Sequence, residues 1–174
     1  APYGYTWSGM AVGTYKLTAK AYDNLGGSTT SAIVNVQVKA NVAPTVAVTA
    51  PANNSAFAAP AAIGLTASAS DSDGTIAKVE FFQGSTRLAT DTTSPYAHSW
   101  ANVAGGTYSI TAKATDDKGA VTTSPAVTVK VNKRPTVTLT APAANASFAA
   151  PATLALKATA ADSDGSVTKV QFFR

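Results

Sequence analysis

The residues best suited to chemistry in this chain are a few aspartates at recurring positions. Asp71 and Asp73 lie in the run Asp-Ser-Asp-Gly, and the same four residues return at Asp162–Gly165. Asp116 and Asp117 form a second acidic pair, and the matching stretch near the start of the chain carries Asp23-Asn24. Carboxylates are hard oxygen donors, and several brought together would suit Ca²⁺. Asp, Ser and Gly are also the usual residues of tight turns, where an aspartate accepts bonds from its own backbone amides. Turn chemistry is the leading reading. Calcium is the second, with Asp71, Asp73, Asp116 and Asp117 as its candidate ligands. Neither reading requires a cofactor.

Other chemistry is sparse. The only histidine is His98, and the matching position earlier in the chain is Tyr5. The only glutamate is Glu80, replaced by Gln171 at its later counterpart, so paired-carboxylate catalysis has nothing repeated to rest on. There is no cysteine, which excludes a disulfide framework and thiolate metal sites. Neither a nucleophile elbow nor a phosphate loop is present. These observations predict a protein that is not an enzyme. The 13 Lys and Arg against 9 Asp and Glu give a net charge of +4, but the basic residues are scattered. That patterning argues against a nucleic-acid partner. No apolar run is long enough for a membrane-spanning helix.

What positions the aspartates is an internal repeat. Pro44 to Phe82 matches Pro135 to Phe173 at an offset of 91, with 24 of 39 positions identical. Pro2 to Asp23 matches Pro95 to Asp116 at an offset of 93, pairing Trp7 with Trp100 and Tyr15 with Tyr108. The chain therefore reads as the C-terminal half of one repeat (1–40), a complete repeat (41–131) and the N-terminal half of a third (132–174). Ends inside repeats predict a segment of a longer tandem array. The alternative is a subunit whose two halves complete a domain with a neighbour.

Apolar residues alternate with polar ones at period two, and Thr and Val are abundant, so the class is all-β. In the complete repeat the expected strands are Thr45–Ala50, Ala62–Ser70, Thr75–Gln83, Thr86–Thr90, Tyr96–Trp100, Thr107–Thr115 and Val121–Val131. The third of these is expected to turn Ala77, Val79 and Phe81 inward. About seven short strands in about 91 residues predict an immunoglobulin-like β-sandwich. Tyr108, near the start of the sixth strand, fits a tyrosine corner. Phe57, Phe81, Trp100 and Tyr108 should anchor an otherwise alanine-rich interior. In such a sandwich both aspartate pairs share one end, where the linker from a preceding repeat also enters. Alternation places Phe82, and its counterpart Phe173, on the outer face, where an aromatic either marks a contact surface or, the favoured reading, is covered by the Arg87–Leu88 strand or the loop between the first two strands. Tyr3, Tyr5 and Tyr96 are weaker candidates of the same kind.

The runs SDSDGTIAKVEFFQGSTRLATDTTSPYAHSW and GTYSITAKATDDKGAVTTS resemble the bacterial Ig-like repeats of large secreted proteins. The resemblance implies export to the extracellular space or cell surface. It also implies tandem arrangement, in surface proteins or beside the catalytic domains of secreted chitinases and cellulases. The leading expectation is a non-catalytic structural segment of a long extracellular protein: filament, sheath, stalk or adhesin shaft. Its partners would be neighbouring repeats or copies of itself in a fibre. The alternative is a spacer or carbohydrate-binding accessory module of a secreted polysaccharide hydrolase, with polysaccharide as partner.

Overall fold

The computed structural model describes residues 2–174, which form two compact units that divide between Val42 and Ala43. In the first unit, β1 (Gly13–Leu17) pairs antiparallel with β4 (Val34–Val38), and β2 (Lys20–Tyr22) pairs with β3 (Ser28–Thr30). Asp23 closes the hairpin between β2 and β3. Its Oδ1 accepts from the amides of Leu25 and Gly27 at 2.9 and 2.7 Å.

The second unit contains a complete β-sandwich of nine strands. They are β5 (Thr45–Ala50), β6 (Ser55–Ala58), β7 (Ala61–Ser70), β8 (Ile76–Gln83), β9 (Thr86–Asp91), β10 (Tyr96–Val103), β11 (Gly106–Asp116), β12 (Val121–Thr123) and β13 (Val127–Asn132). One sheet has the order β10-β7-β5 and the other β6-β13-β11-β8-β9, with β12 also beside β11. All pairings are antiparallel except β13 with β6. Residues of the third repeat follow, where β14 (Thr136–Ala141) pairs with β15 (Lys157–Ala161). The fold is the all-β, immunoglobulin-like sandwich expected.

Period two explains the core. Ile63 and Leu65 on β7 face Val79 and Phe81 on β8, Ile110, Ala112 and Ala114 on β11, and Val129 on β13. All of these are fully buried. Each large side chain removed from water this way contributes about 1.5–3 kcal/mol. Phe57, Trp100 and Tyr108 pack around this centre, half-buried. The Tyr108 hydroxyl donates to the Ala104 carbonyl at 2.9 Å, and the ring meets Trp100 edge-on at 5.0 Å. In the first unit Tyr15 and Trp7 repeat this arrangement, at 2.7 and 5.6 Å.

Three expectations need correction. Ala77 is exposed rather than inward, because the β8–β11 register shifts between Asp116 opposite Ile76 and Thr115 opposite Lys78. Tyr96 is not a surface aromatic; it opposes Ala67 and joins the core. The last strand is not continuous but breaks into β12 and β13 at Ser124-Pro125. Proline cannot donate to a ladder. Ser124 takes over at this point, its hydroxyl accepting from the Ala112 amide at 3.0 Å and donating to the Pro125 carbonyl at 2.9 Å. Ser31 does the same for Ala19 and Ala32 in the first unit.

Candidate functional site

The loops β7–β8 and β11–β12 meet at one end of the sandwich and bring the four aspartates together. The ladder ends there because Ser70 opposes Thr45 and Asp116 opposes Ile76. Asp116 is buried, and its Oδ1 accepts from the amides of Lys118 and Ala120 at 2.9 and 2.8 Å, which shapes the β11–β12 turn. Asp117 crosses to the other loop, where its Oδ1 accepts from the Thr75 amide at 3.1 Å. Asp73 pairs with Lys118, with Nζ 3.1 Å from Oδ2 and 2.8 Å from the Asp73 carbonyl. That hydrogen bond holds the ammonium above its ordinary pKa, against a smaller opposing effect of desolvation.

Asp71 differs from the other three. Its Oδ1 accepts weakly from the Asp73 amide at 3.3 Å, while Oδ2 is buried with no hydrogen-bond partner among the described residues. Gly74 explains how this packing is reached. A Cβ there would collide with Asp117 Oδ1 and would lie 2.7 Å from Asp71 Oδ2. The glycine of Asp-Ser-Asp-Gly thus makes room for two carboxylates. Gly165 repeats the arrangement, with Asp162 Oδ2 at 2.9 Å from its Cβ position. Among the described residues no three carboxylates or imidazoles converge at metal-holding distance.

A second feature lies where the complete sandwich passes into the third repeat. The Lys133 amide donates to Asp164 Oδ2 at 3.0 Å. Asp164 is the counterpart of Asp73, so an Asp-Ser-Asp-Gly loop of one repeat grips the linker from the repeat before it. On the other side, a Cβ at Gly105 would lie 2.9 Å from the Lys133 backbone. The linker is therefore held between the β10–β11 loop of one repeat and the β7–β8 loop of the next. Sequence patterning placed linker and aspartates at the same end. It did not single out Gly105 or the role of Asp164.

The outer face of the larger sheet carries the third feature. Lys78, Glu80 and Phe82 share it by alternation. Phe82 is half-buried, opposite Thr111 and Arg87 in the two neighbouring strands, whereas Phe173 in the third repeat is exposed. Glu80 is buried, with Oε1 2.8 Å from Arg87 and Oε2 3.1 Å from Lys78. Burial alone would raise its pKa. The hydrogen bonds and charges of Arg87 and Lys78 outweigh burial and hold the carboxyl below its ordinary value. His98 is a half-buried strand residue opposite Leu65, and Tyr3 and Tyr5 are exposed.

The model of the bacterial Ig domain matches residues 44–112 and 135–174. The chain belongs to that family. The two matched segments begin at Pro44 and Pro135, which the repeat offset also pairs. Among solved structures, fibronectin(III)-like modules of Clostridium thermocellum CbhA are 32% identical, with a TM-score of 0.48, covering 50% of this chain and 94% of theirs. The PKD1 domain of Vibrio anguillarum Epp is 23% identical, with a TM-score of 0.39, covering 55% of this chain and all of that one. No curated protein matches the chain. Bacterial Ig domains are structural or accessory modules, typically non-catalytic and common in extracellular and surface proteins.

Proposed function

We propose that this chain is a non-catalytic structural segment of a long extracellular bacterial protein, a filament, sheath, stalk or adhesin shaft. The observation that carries the reading is the gripped linker. A linker left loose would let neighbouring sandwiches swivel. Here the Lys133 amide is held by Asp164 and its backbone lies against Gly105. Pro135 adds stiffness by restricting Arg134 to extended geometry. A run of such joints would transmit force and hold spacing, which a structural array needs and a flexible tether does not.

Amide relaxation by NMR tests this. Lys133 should be as rigid on the nanosecond timescale as Val131 within β13, and Asp164→Ala should loosen it. A Lys133 amide that relaxes like a free loop in the unaltered chain would overturn the reading.

In this reading the acidic loops act as turns, with turn amides and Lys118 engaging Asp116, Asp117 and Asp73. Melting with calcium or with chelator tests that point. An unchanged Tm supports the turn role. A rise with calcium would support the calcium reading, with Asp71, Asp73, Asp116 and Asp117 as the candidate ligands.

A further inference from the structure

Charge is spread unevenly over the complete sandwich. The outward residues of β5 and β7, and of β10 as far as Trp100, are Ala, Gly, Ser and Thr, with no charge among them. The outer face of the larger sheet instead carries Lys78, Arg87, Lys113 and Lys130, four of the five Lys and Arg in residues 41–131. The fifth, Lys118, belongs to the acidic end, where it pairs with Asp73. Five of the six Asp and Glu in the same residues lie off this face. Four are the aspartates of the acidic end. The other is Asp91, which caps the turn before β10 by accepting from the Thr93 and Ala97 amides.

Register assembles the basic face. Lys78 opposes Thr115, Lys113 lies between Glu80 and Thr123, and Lys130 opposes Thr107. Thr115 and Thr107 are eight residues apart on β11, so the cations span about 26 Å at strand rise. Glu80, the one acid on the face, is buried and orients two of them. It holds Arg87 Nη1 at 2.8 Å and Lys78 Nζ at 3.1 Å. The Arg87 and Lys78 side chains are still 60% and 38% exposed, so donors that Glu80 does not use remain accessible. Cations already held in place lose less freedom when a ligand arrives.

The basic positions recur where the acid does not. Lys113 and Lys78 match Lys20 and Lys169, while Glu80 matches Gln171 and Ser109 matches Lys16. Lys169 thus keeps its charge although the carboxylate that Lys78 bonds has no counterpart, which an ion-pair role alone does not explain. In the first unit Lys16 is exposed on β1, and Lys20 Nζ lies 4.9 Å from the ring centre of the exposed Tyr22.

We propose that the outer face of the larger sheet binds an acidic polysaccharide, a polymer of sugars bearing carboxylates at intervals. Charge complementarity names this occupant. Its widely spaced anions meet widely spaced cations, and its hydroxyls meet the threonines between them. A nucleic acid fits less well. Duplex DNA carries one charge per about 1.7 Å, whereas the complete repeat has six acids against five bases. A protein partner would call for a broader apolar centre. The apolar side chains here are Phe82, half-buried, and Val121 at the margin. This goes beyond the proposed structural role and does not rest on it, since a joint can be rigid with or without a bound glycan.

The test is affinity electrophoresis of the full 174-residue chain through gels containing polygalacturonate, at low salt and with chelator present. Migration should be retarded, and the retardation should fade as salt screens the charges. The methyl-esterified polymer keeps the sugars without the carboxylates and should not retard the chain. Lys113→Gln/Lys130→Gln spares the ion pairs of Glu80 and should weaken binding about fivefold with Tm unchanged. Lys39→Gln/Lys157→Gln removes the same charge elsewhere, Lys157 being the counterpart of Thr66 on the uncharged sheet, and should weaken binding less than about twofold. No retardation, equal retardation by the ester, equal weakening by the two double variants, or tighter binding to single-stranded DNA of matched length would overturn the proposal.

Discussion

Leu65 and Leu156 are the same residue at the same place in the repeat, yet one is fully buried and the other is 44% exposed. The contrast holds for Phe81 and Phe172. Local structure survives it well. The tyrosine corner, the Trp–Tyr edge contact and the serine that replaces a ladder bond occur in both the complete repeat and the first unit. Turns, corners and caps are thus set by residues near in sequence, while burial depends on both sheets being present.

The largest expected effect comes from breaking that contrast in the core. Phe81→Ala should destabilise the complete sandwich by about 3–5 kcal/mol in denaturant unfolding. Phe172→Ala should shift the same transition by less than about 0.5 kcal/mol. Equal effects would mean that the third repeat shares the core.

Next is the buried turn cap. Asp116→Ala leaves the amides of Lys118 and Ala120 without their acceptor and should cost about 1–3 kcal/mol. Asp23→Ala removes the matching bonds at an exposed hairpin and should leave that transition unchanged.

A pH titration separates Glu80 from its neutral counterpart. The folded carboxyl has a lowered pKa, so its stabilisation is complete above the unfolded value and is lost as pH falls through the folded one. Stability should therefore decline in acid below the ordinary glutamate range. Glu80→Gln should reduce that slope at a small cost near neutrality, because Arg87 is largely exposed and stays solvated. Tyr108→Phe removes one hydroxyl bond to Ala104 and should cost about 1 kcal/mol.

Period two, the repeat offsets and the Tyr108 signature made the sandwich and most of its core legible in the sequence. What the sequence hid arises where register or crossing loops decide. Ala77 fits the alternation and is still exposed, since a bulge is a property of two strands and only one was being read. Tyr96 looked like other surface tyrosines until its partner Ala67 left room for it inside. At the acidic end, Asp-Ser-Asp-Gly was readable as a turn. That its glycine clears space for Asp117, forty-three residues later in the chain, depends on a loop crossing with no sequence mark. The grip of Asp164 on Lys133 was hidden for the same reason, as it joins two repeats.

The structural role is tested most directly by electron microscopy of the native material, measuring the repeat along its long axis. The longest strand, β11, has 11 residues and spans roughly 36 Å at strand rise. An ordered array should therefore show a regular axial spacing of roughly 40 Å, with density continuous from one sandwich to the next. Beads at irregular spacing, tethered to a larger globular domain, would contradict the account and favour a spacer in a secreted hydrolase.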